Sequence, residues 1–278
     1  MSEQPLQGKV AIVTGAGSTI GLGRAMTLAL VKAGARVAMV DIDGASLEQS
    51  AIDARAVGGQ DCVTTIIGDV TKPEDGERIV ADTIAKLGKL DILVNNAGVN
   101  PRITAEPGRP AFTQIPVNDW VRTISVNING PFFMARAAAL PMLEQGWGRI
   151  IGVTTSLDTM FRGAPYGLTK AAHEAFISAM ALQLEGTGVT ANVLIPGRSV
   201  ATNMTGGARP PGAEDNRLQP EVMQRPVVWL ASPASDGFNN HRVVAEFWDE
   251  ELPIEERLAK ASAPAAWPQL GRQNAPTR

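Results

Sequence analysis

Short apolar runs rich in β-branched residues recur along the chain, at intervals that leave room for a helix between one run and the next. Strands without polar alternation are buried on both faces, which is typical of a parallel sheet covered by helices. Segments between the runs carry apolar residues at helical spacing, as in residues 24–33, 47–56 and 75–87. The pattern predicts a doubly wound α/β fold with about seven strands. These strands are predicted at residues 10–14, 36–40, 62–67, 92–95, 150–154, 189–195 and 242–247.

The same rhythm covers residues 5–250, which predicts one domain followed by a C-terminal extension over residues 251–278. Two segments interrupt the rhythm. Residues 99–118 hold four prolines, and residues 202–219 are rich in glycine, proline and charge. Loops that follow strands form the ligand crevice in folds of this kind, so both segments are candidate lids.

Composition narrows the range of functions. The chain has 278 residues, 44% of them hydrophobic, which allows one large core, and its formal charge of −3 does not favour a nucleic acid partner. Cys62 is the only cysteine, which fits a reducing cytoplasm. The chain has neither a basic leader nor a run of about 18 apolar residues, so we expect a soluble, cytoplasmic protein without a membrane partner. His173, His241 and Cys62 lack the spacing of zinc ligands, so no metal is expected.

A glycine-rich turn follows the first predicted strand and precedes a predicted helix. Glycines let the backbone turn sharply and approach a pyrophosphate, whose charge is met by the free amides at the helix start. Such turns also simply join a strand to a helix, but this placement favours a dinucleotide. The candidate contacts in the turn are Gly15, Gly17, Ser18, Thr19, Ile20, Gly21 and Gly23.

Acidic and amide side chains follow the next strands. Asp41 ends the second strand, where a carboxylate can accept both ribose hydroxyls of an adenosine and would repel a 2′-phosphate. Asp41 therefore favours NAD over NADP, with Asp43 as a competitor for the same role. Asp69 and the Asn-Asn-Ala-Gly run at residues 95–98 fall at the same edge of the predicted sheet, so together these residues line one crevice.

The only tyrosine, Tyr166, lies four residues before Lys170. On a helix this spacing puts both side chains on one face, where the ammonium favours the phenolate and lowers the pKa of the phenol. Such a tyrosine can pass a proton to or from an alcohol. The simpler alternative is a packing tyrosine with a lysine beside it.

Taken in order, these motifs resemble the classical short-chain dehydrogenase/reductase family over about residues 5–250. The match includes the glycine turn, Asp41, Asp69-Val70, Asn127 on a helix, the Tyr166–Lys170 pair and Pro196-Gly197. The resemblance implies a Rossmann-type fold and an NAD cofactor. It implies further cofactor contacts at Asp69, Val70, Asn96, Ala97, Gly98, Tyr166, Lys170, Pro196, Gly197, Val200 and Thr202.

The chain departs from the family pattern in three places. The glycine turn is two residues longer than usual, and Gly17, Gly21 and Gly23 restore the family spacing. The usual serine position falls on Val153, so the catalytic hydroxyl belongs either to Thr155, by strand register, or to Ser156, the nearest serine. Thr202 is displaced by one residue from the family's threonine, and the usual C-terminal Asp-Gly-Gly is absent.

The resemblance implies hydride transfer between NAD(H) and a secondary alcohol or ketone, with Tyr166 as the acid and base. Lys170 would lower the Tyr166 pKa and hold the nicotinamide ribose, while Thr155 or Ser156 would stabilise the substrate oxygen. Asn127 would hold a water that relays protons from Lys170; the alternative is a hydrogen bond at a helix kink.

Two other functions remain open, namely a 3-oxoacyl thioester reductase of the same family, which usually uses NADPH, and a dinucleotide-sensing protein without catalysis. Arginines near the expected mouth could bind an anionic substrate or pair with neighbouring carboxylates. The family also implies a homodimer or homotetramer built on the helices of Asn127 and Tyr166. The arginines in question are Arg102, Arg109, Arg162 and Arg198, and Met160, Phe161 and Met204 are candidates for an apolar wall.

Overall fold

A computed structural model of the chain describes residues 4–101, 112–207 and 215–268. Within these residues one sheet of eight strands has the order β3-β2-β1-β4-β5-β6-β7-β8. The first seven strands run parallel and β8 pairs antiparallel with β7. The strands are β1 (Val10–Thr14), β2 (Arg36–Asp41), β3 (Val63–Ile67), β4 (Ile92–Asn95), β5 (Gly148–Val153), β6 (Val189–Ile195), β7 (His241–Val244) and β8 (Ser262–Pro264).

Helices cover both faces of the sheet. They are α1 (Leu22–Lys32), α2 (Gly44–Gly58), α3 (Pro73–Leu87), α4 (Val117–Ile124), α5 (Gly130–Glu144), α6 (Leu157–Arg162), α7 (Tyr166–Gln183), α8 (Gln224–Ala231) and α9 (Ile254–Ala261). Helices α1, α2 and α8 pack on one face, and α3, α5 and α7 pack on the other. The predicted doubly wound α/β architecture is therefore confirmed.

Alternate residues of each central strand supply the two cores. In β1, Ala11 and Val13 join one apolar cluster, while Val10 and Ile12 join the other. All four are fully buried. A strand buried on both faces needs no polar alternation, which is why these strands appear in the sequence as continuous apolar runs.

The structure differs from the predicted strands at the C-terminal edge. The seventh strand stops at Val244, because Ala245–Phe247 forms a short 3₁₀ turn. An eighth strand comes from the segment expected to be an extension, and residue 264 pairs with His241. A strand of three residues is too short to produce a recognisable alternation, so the sequence pattern did not indicate it.

Strand order reverses between β1 and β4, which are neighbours in the sheet. The chain leaves β1 toward one side and β4 toward the other, which opens a crevice at the carboxyl ends of the strands. None of the helices in the described ranges has the length and apolar character needed to cross a membrane.

Candidate active site

A cleft of about 490 Å³ lies at the carboxyl ends of the parallel strands. It brings together most of the residues predicted from the sequence, from the glycine turn to the segment after β6. The predicted residues that line it are Gly15, Ser18, Gly21, Asp41, Asn96, Ala97, Gly98, Thr155, Ser156, Tyr166, Lys170, Pro196, Gly197, Val200 and Thr202.

A second cavity of about 420 Å³ adjoins the cleft on the side of β2 and β3. Asp69 and Val70 lie in its wall, as predicted for this edge of the sheet. Gly15, Asp41 and Gly98 line both cavities, so the two form one elongated crevice. A dinucleotide is an elongated ligand with a base at one end and a reacting ring at the other, and the shape of the crevice suits it.

The glycine turn is tied to the loop after β4. The hydroxyl of Thr14 accepts hydrogen bonds from the backbone amides of Asn96 and Ala97, both at 3.1 Å. Gly15 has a φ of 67°, and a Cβ added there would lie 2.8 Å from the Ala97 Cα. Only glycine combines this left-handed conformation with so close an approach of the two loops.

The start of α1 suits the diphosphate of a dinucleotide. Its N-cap is Gly21, no side chain caps the first turn, and that turn contains no acidic residue. Among the described residues, no side chain accepts from the first-turn amides of α1, which lie at the crevice. The helix dipole favours an anion at this position. Gly17 and Gly23 are buried, whereas Thr19 and Ile20 are exposed.

The segment after β6 reaches the glycine turn from the opposite side. The Asn203 side chain donates to the Ser18 hydroxyl at 3.1 Å, and the Asn203 amide donates to the Ile20 carbonyl at 3.1 Å. Thr202 begins this segment in a reciprocal cap with Thr205. Sequence reasoning did not single out Asn203, because its partners are remote in the sequence.

Asp41 and Asp43, the two candidates for the ribose contact, have different environments. Asp41 accepts the Gly17 amide at 2.8 Å and the Asp43 amide at 3.2 Å, and its carboxylate faces the crevice. Asp43 caps α2 instead by accepting from the Ala45 and Ser46 amides. The hydrogen bond from the Ser46 hydroxyl is the main reason that the pKa of Asp43 is lowered. The geometry therefore favours Asp41.

Helix α7 starts at Tyr166 and carries Lys170 one turn later. The Lys170 Nζ lies 5.8 Å from the centroid of the Tyr166 ring and donates to the Val153 carbonyl at 2.8 Å. The Tyr166 side chain lines the cleft, and within the described residues its hydroxyl makes no hydrogen bond, since Tyr166 accepts only through its carbonyl, from Thr169. The Tyr166 hydroxyl is therefore free to meet a ligand in the cleft.

Burial, rather than the positive charge of Lys170, is the cause of the pKa shifts in this pair. It raises the pKa of Tyr166 to about 12 and lowers the pKa of Lys170 to about 8. The expected lowering of the phenol pKa is therefore wrong in this structure. The reason is that the Lys170 amine donates to the Val153 carbonyl rather than to the phenol, while burial favours the neutral form of each group.

Asn127 lies in a π-helical turn, Ser125–Asn129, between α4 and α5. Its side chain accepts the Val99 amide at 2.8 Å and donates to the Val99 carbonyl and the Thr169 hydroxyl, both at 2.9 Å. The expected alternative of a helix irregularity at this residue is thus present. Through Val99 the carboxamide also holds the loop after β4 close to Lys170. The loop passes so near that a Cβ added at Gly98 would lie 3.4 Å from the Asn127 side-chain oxygen and 3.3 Å from the Lys170 Nζ.

Both candidate hydroxyls reach the cleft, but they are not equivalent. Ser156 caps α6, where its oxygen accepts the Thr159 amide at 3.4 Å and bonds the Thr159 hydroxyl at 3.1 Å. The Thr155 side chain lines the cleft and makes no hydrogen bond among the residues that the structure describes, although its carbonyl accepts from Arg242. The geometry therefore favours Thr155 as the hydroxyl that meets a substrate.

The described arginines near the mouth of the cleft pair with neighbouring carboxylates, which is the alternative to binding an anionic substrate. Arg198 pairs with Glu246 at 2.7 Å, and Arg162 pairs with Asp158 at 2.8 Å. Arg102 and Arg109 lie outside the described residues. Among the candidates for an apolar wall, Met204 lines the cleft, Met160 is buried and Phe161 is exposed. No group of metal-ligating side chains occurs in the described ranges.

Comparisons with known proteins agree with this geometry. The family model described as "short chain dehydrogenase" matches residues 9–211. The chain is 35% identical over 211 residues to 1-deoxy-11-beta-hydroxypentalenate dehydrogenase of Streptomyces exfoliatus, covering 75% of this chain and 74% of that protein. It is 30% identical over 256 residues to L-rhamnose-1-dehydrogenase of Scheffersomyces stipitis, covering 87% and 95%. The solved structure of a short-chain type dehydrogenase/reductase from Mycobacterium ulcerans superimposes with a TM-score of 0.74 at 26% identity, covering 86% and 88%.

The buried Lys170 should make stability depend on pH in the ligand-free protein. Its pKa is about 8 in the folded chain, against an ordinary value of 10.5, so the unfolded chain binds more protons between these values. The free energy of unfolding should therefore rise with pH, by about 2 kcal/mol more in the native protein than in Lys170→Met between about pH 7.5 and about pH 9.5. Urea unfolding of both proteins at the two pH values measures the difference. Equal pH dependence in the two proteins would contradict the prediction.

Proposed function

Because the chain belongs to the short-chain dehydrogenase family, we propose that it transfers hydride between NAD(H) and a secondary alcohol or its ketone. As a member of this family it is an oxidoreductase, and its cofactor is a nicotinamide dinucleotide. The observation that carries the finer proposal is a single crevice that holds Asp41 and the glycine turn at one end and Tyr166, Lys170 and Thr155 at the other.

The dinucleotide would lie along the crevice. Asp41 would accept the adenosine ribose hydroxyls, and the first-turn amides of α1 would meet the diphosphate. The loop from Asn96 to Gly98, Lys170 and the segment from Pro196 to Thr202 would hold the nicotinamide end. The bound cofactor supplies the carbon that accepts or donates hydride, and the protein supplies position and proton handling.

Tyr166 would exchange the proton. In the reducing direction the burial that raises its pKa to about 12 keeps the phenol protonated, so it can donate to the substrate oxygen as that oxygen gains charge. In the oxidising direction Tyr166 would take the alcohol proton as the phenolate, which requires that the positive charge of Lys170 lower its pKa from this value when the proton is transferred. Thr155 would donate a hydrogen bond to the same oxygen, with Ser156 as the alternative. Asn127 and Lys170 would pass the proton onward through a water.

Cytoplasmic location is part of the proposal, because Cys62 is a free, buried thiol. The substrate is not defined by the two named relatives, since one acts on a hydroxypentalenate and the other on a sugar according to their names. A nucleic acid or membrane partner is not proposed.

Cofactor choice provides the first test of the proposal. We expect the native protein to bind NAD at least about tenfold more tightly than NADP, because the Asp41 carboxylate repels a 2′-phosphate. Asp41→Ser should reverse or abolish this preference. Asp43→Ser is the matched control, since serine also caps a helix and Asp43 makes no ribose contact in the proposal. Isothermal titration with both dinucleotides measures the affinities, and equal affinities in the native protein would favour the thioester-reductase alternative.

Substitutions of the hydroxyl groups test the chemistry. Tyr166→Phe should lower kcat on an active alcohol by at least about 100-fold, because the acid–base group is lost, while the affinity for NAD stays nearly the same. Thr155→Val should lower kcat by about 100-fold, because it removes a hydrogen bond to the substrate oxygen. Ser156→Ala should mainly lower thermal stability, because it removes the cap of α6.

A screen of secondary alcohols, sugars, hydroxy acids and cyclic ketones, followed by NADH absorbance, finds the substrate for these measurements. Full activity in Tyr166→Phe would contradict the mechanism. Tight binding of NAD without turnover in any member of the screen would instead support the dinucleotide-sensing alternative. A large loss in Ser156→Ala with none in Thr155→Val would assign the hydroxyl to Ser156.

We also propose a homodimer or homotetramer. The helices on either side of Asn127, α4 and α5, and the helix of Tyr166, α7, expose large apolar side chains, which water does not favour. We expect Leu140→Lys, on α5, to shift the mass measured by sedimentation toward the monomer, and Ile52→Lys, on α2, to leave it unchanged. A monomeric native protein would contradict this proposal. The exposed large apolar side chains on α4, α5 and α7 are Val117, Trp120, Val121, Phe132, Leu140, Leu143 and Leu182.

A further inference from the structure

A buried pair of opposite charges lies directly behind the cleft wall that carries the candidate hydroxyls. Glu174 follows Lys170 by one helical turn on α7 and is fully buried, and the Arg242 side chain on β7 is 8% exposed. Their nearest atoms, Glu174 Oε1 and Arg242 Nε, are 3.6 Å apart. The mechanism proposed above uses neither residue.

The pair contacts the end of β5 at two consecutive residues. Glu174 Oε2 accepts a hydrogen bond from the Thr154 hydroxyl at 3.1 Å. Arg242 Nη2 donates to the Thr155 carbonyl at 3.1 Å. Thr154 and Thr155 lead directly into Ser156, so the charged pair holds the backbone from which both candidate hydroxyls extend.

The segment after β8 closes the pair from the other side. The backbone amide of Ala266 donates to Glu174 Oε1 at 3.3 Å, and Ala265 is buried against the second core cluster. Glu174 is therefore held by one element on each side, and burial is the main reason that its pKa is raised. The pair has little room to rearrange.

Net stability does not account well for such a pair. Removing two charges from water costs about as much as their attraction returns, so apolar side chains of similar volume often serve a core equally well. What apolar side chains cannot do is donate to the Thr155 carbonyl and accept from the Thr154 hydroxyl. What the pair specifically provides is a fixed position for the two residues that follow β5, Thr154 and Thr155.

We propose that Glu174 and Arg242 are positioning residues for hydride transfer, which fix the end of β5 and so aim the hydroxyl of Thr155 or Ser156 at the substrate oxygen beside Tyr166. The inference rests on the proposed function, because it assumes that this hydroxyl acts in the reaction. Apart from Tyr166 and Lys170 on α7, the proposed dinucleotide contacts lie on other segments. Loss of the pair should therefore affect turnover and leave NAD binding intact.

Two variants remove the interaction in different ways, and a third keeps it. Thr154→Val deletes the hydroxyl and keeps the side-chain shape, whereas Thr154→Ser keeps the hydroxyl. Glu174→Gln combined with Arg242→Met removes both charges together, so neither is left buried without its partner. The matched control is Arg149→Met with Asp236→Asn. Arg149 is a buried arginine near the start of β5, at the end of that strand opposite to Thr154, and it pairs with Asp236.

Kinetics and hydrogen exchange provide two readouts. Thr154→Val and the Glu174/Arg242 double variant should lower kcat about tenfold with KM for NAD within about twofold, because a misplacement of about 1 Å can cost about 100-fold and a smaller shift costs less. Thr154→Ser should recover most of the loss. Amide exchange, followed by mass spectrometry in a peptide over residues 152–158, should be faster in Thr154→Val and in the Glu174/Arg242 double variant. The control should lose thermal stability only.

Two results would overturn the inference. One is native kcat and native exchange in Thr154→Val and in the Glu174/Arg242 double variant. The other is an equal loss of kcat in the Arg149/Asp236 control, which would indicate a general effect of destabilisation. A native protein that binds NAD but oxidises no alcohol contradicts the proposed function, and the exchange readout then still decides whether the pair holds this segment.

Discussion

The Thr14 hydroxyl joins the two loops between which the crevice opens, and the rest of the site depends on that junction. Strand order reverses between β1 and β4, so the loops after these strands leave the sheet in different directions. Hydrogen bonds from Asn96 and Ala97 to one threonine oxygen hold them at a fixed separation. Gly15 can then approach Ala97, the first turn of α1 faces the crevice, and the loop from Asn96 to Gly98 passes beside Lys170.

A second constraint is the burial of ionisable groups along α7. Tyr166, Lys170, His173 and Glu174 lie on the first turns of this helix, and burial shifts each pKa toward the neutral form. For His173 the positive charge of Lys170 acts in the same direction as burial. Of the four, Tyr166 and Lys170 line the cleft, whereas His173 and Glu174 are buried and do not line it. Shifted pKa values at groups in a cleft are the property expected of groups that exchange protons during a reaction.

Many features of the fold and of the site were predictable from local patterns. Strands that are buried on both faces appear as continuous apolar runs, so the first six strands and their parallel arrangement were predicted almost to the residue. The spacing of Tyr166 and Lys170 placed them on one helix face, and Asp41 was predicted at the end of its strand. Each of these features depends on periodicity or on position relative to a strand end, which a sequence contains directly.

The remainder depends on contacts between segments that are far apart in the chain. Local patterns of side chains were enough to predict the doubly wound sheet, the glycine turn and the candidate acid–base residues. The packed fold was needed to establish that Asp43 caps a helix while Asp41 lines the crevice, and that the Ser156 hydroxyl caps α6 while the Thr155 hydroxyl makes no such bond. It also decided that Glu174 and Arg242 meet behind β5. Hydrogen bonds and desolvation are properties of the packed neighbourhood, and that neighbourhood forms only when distant segments come together.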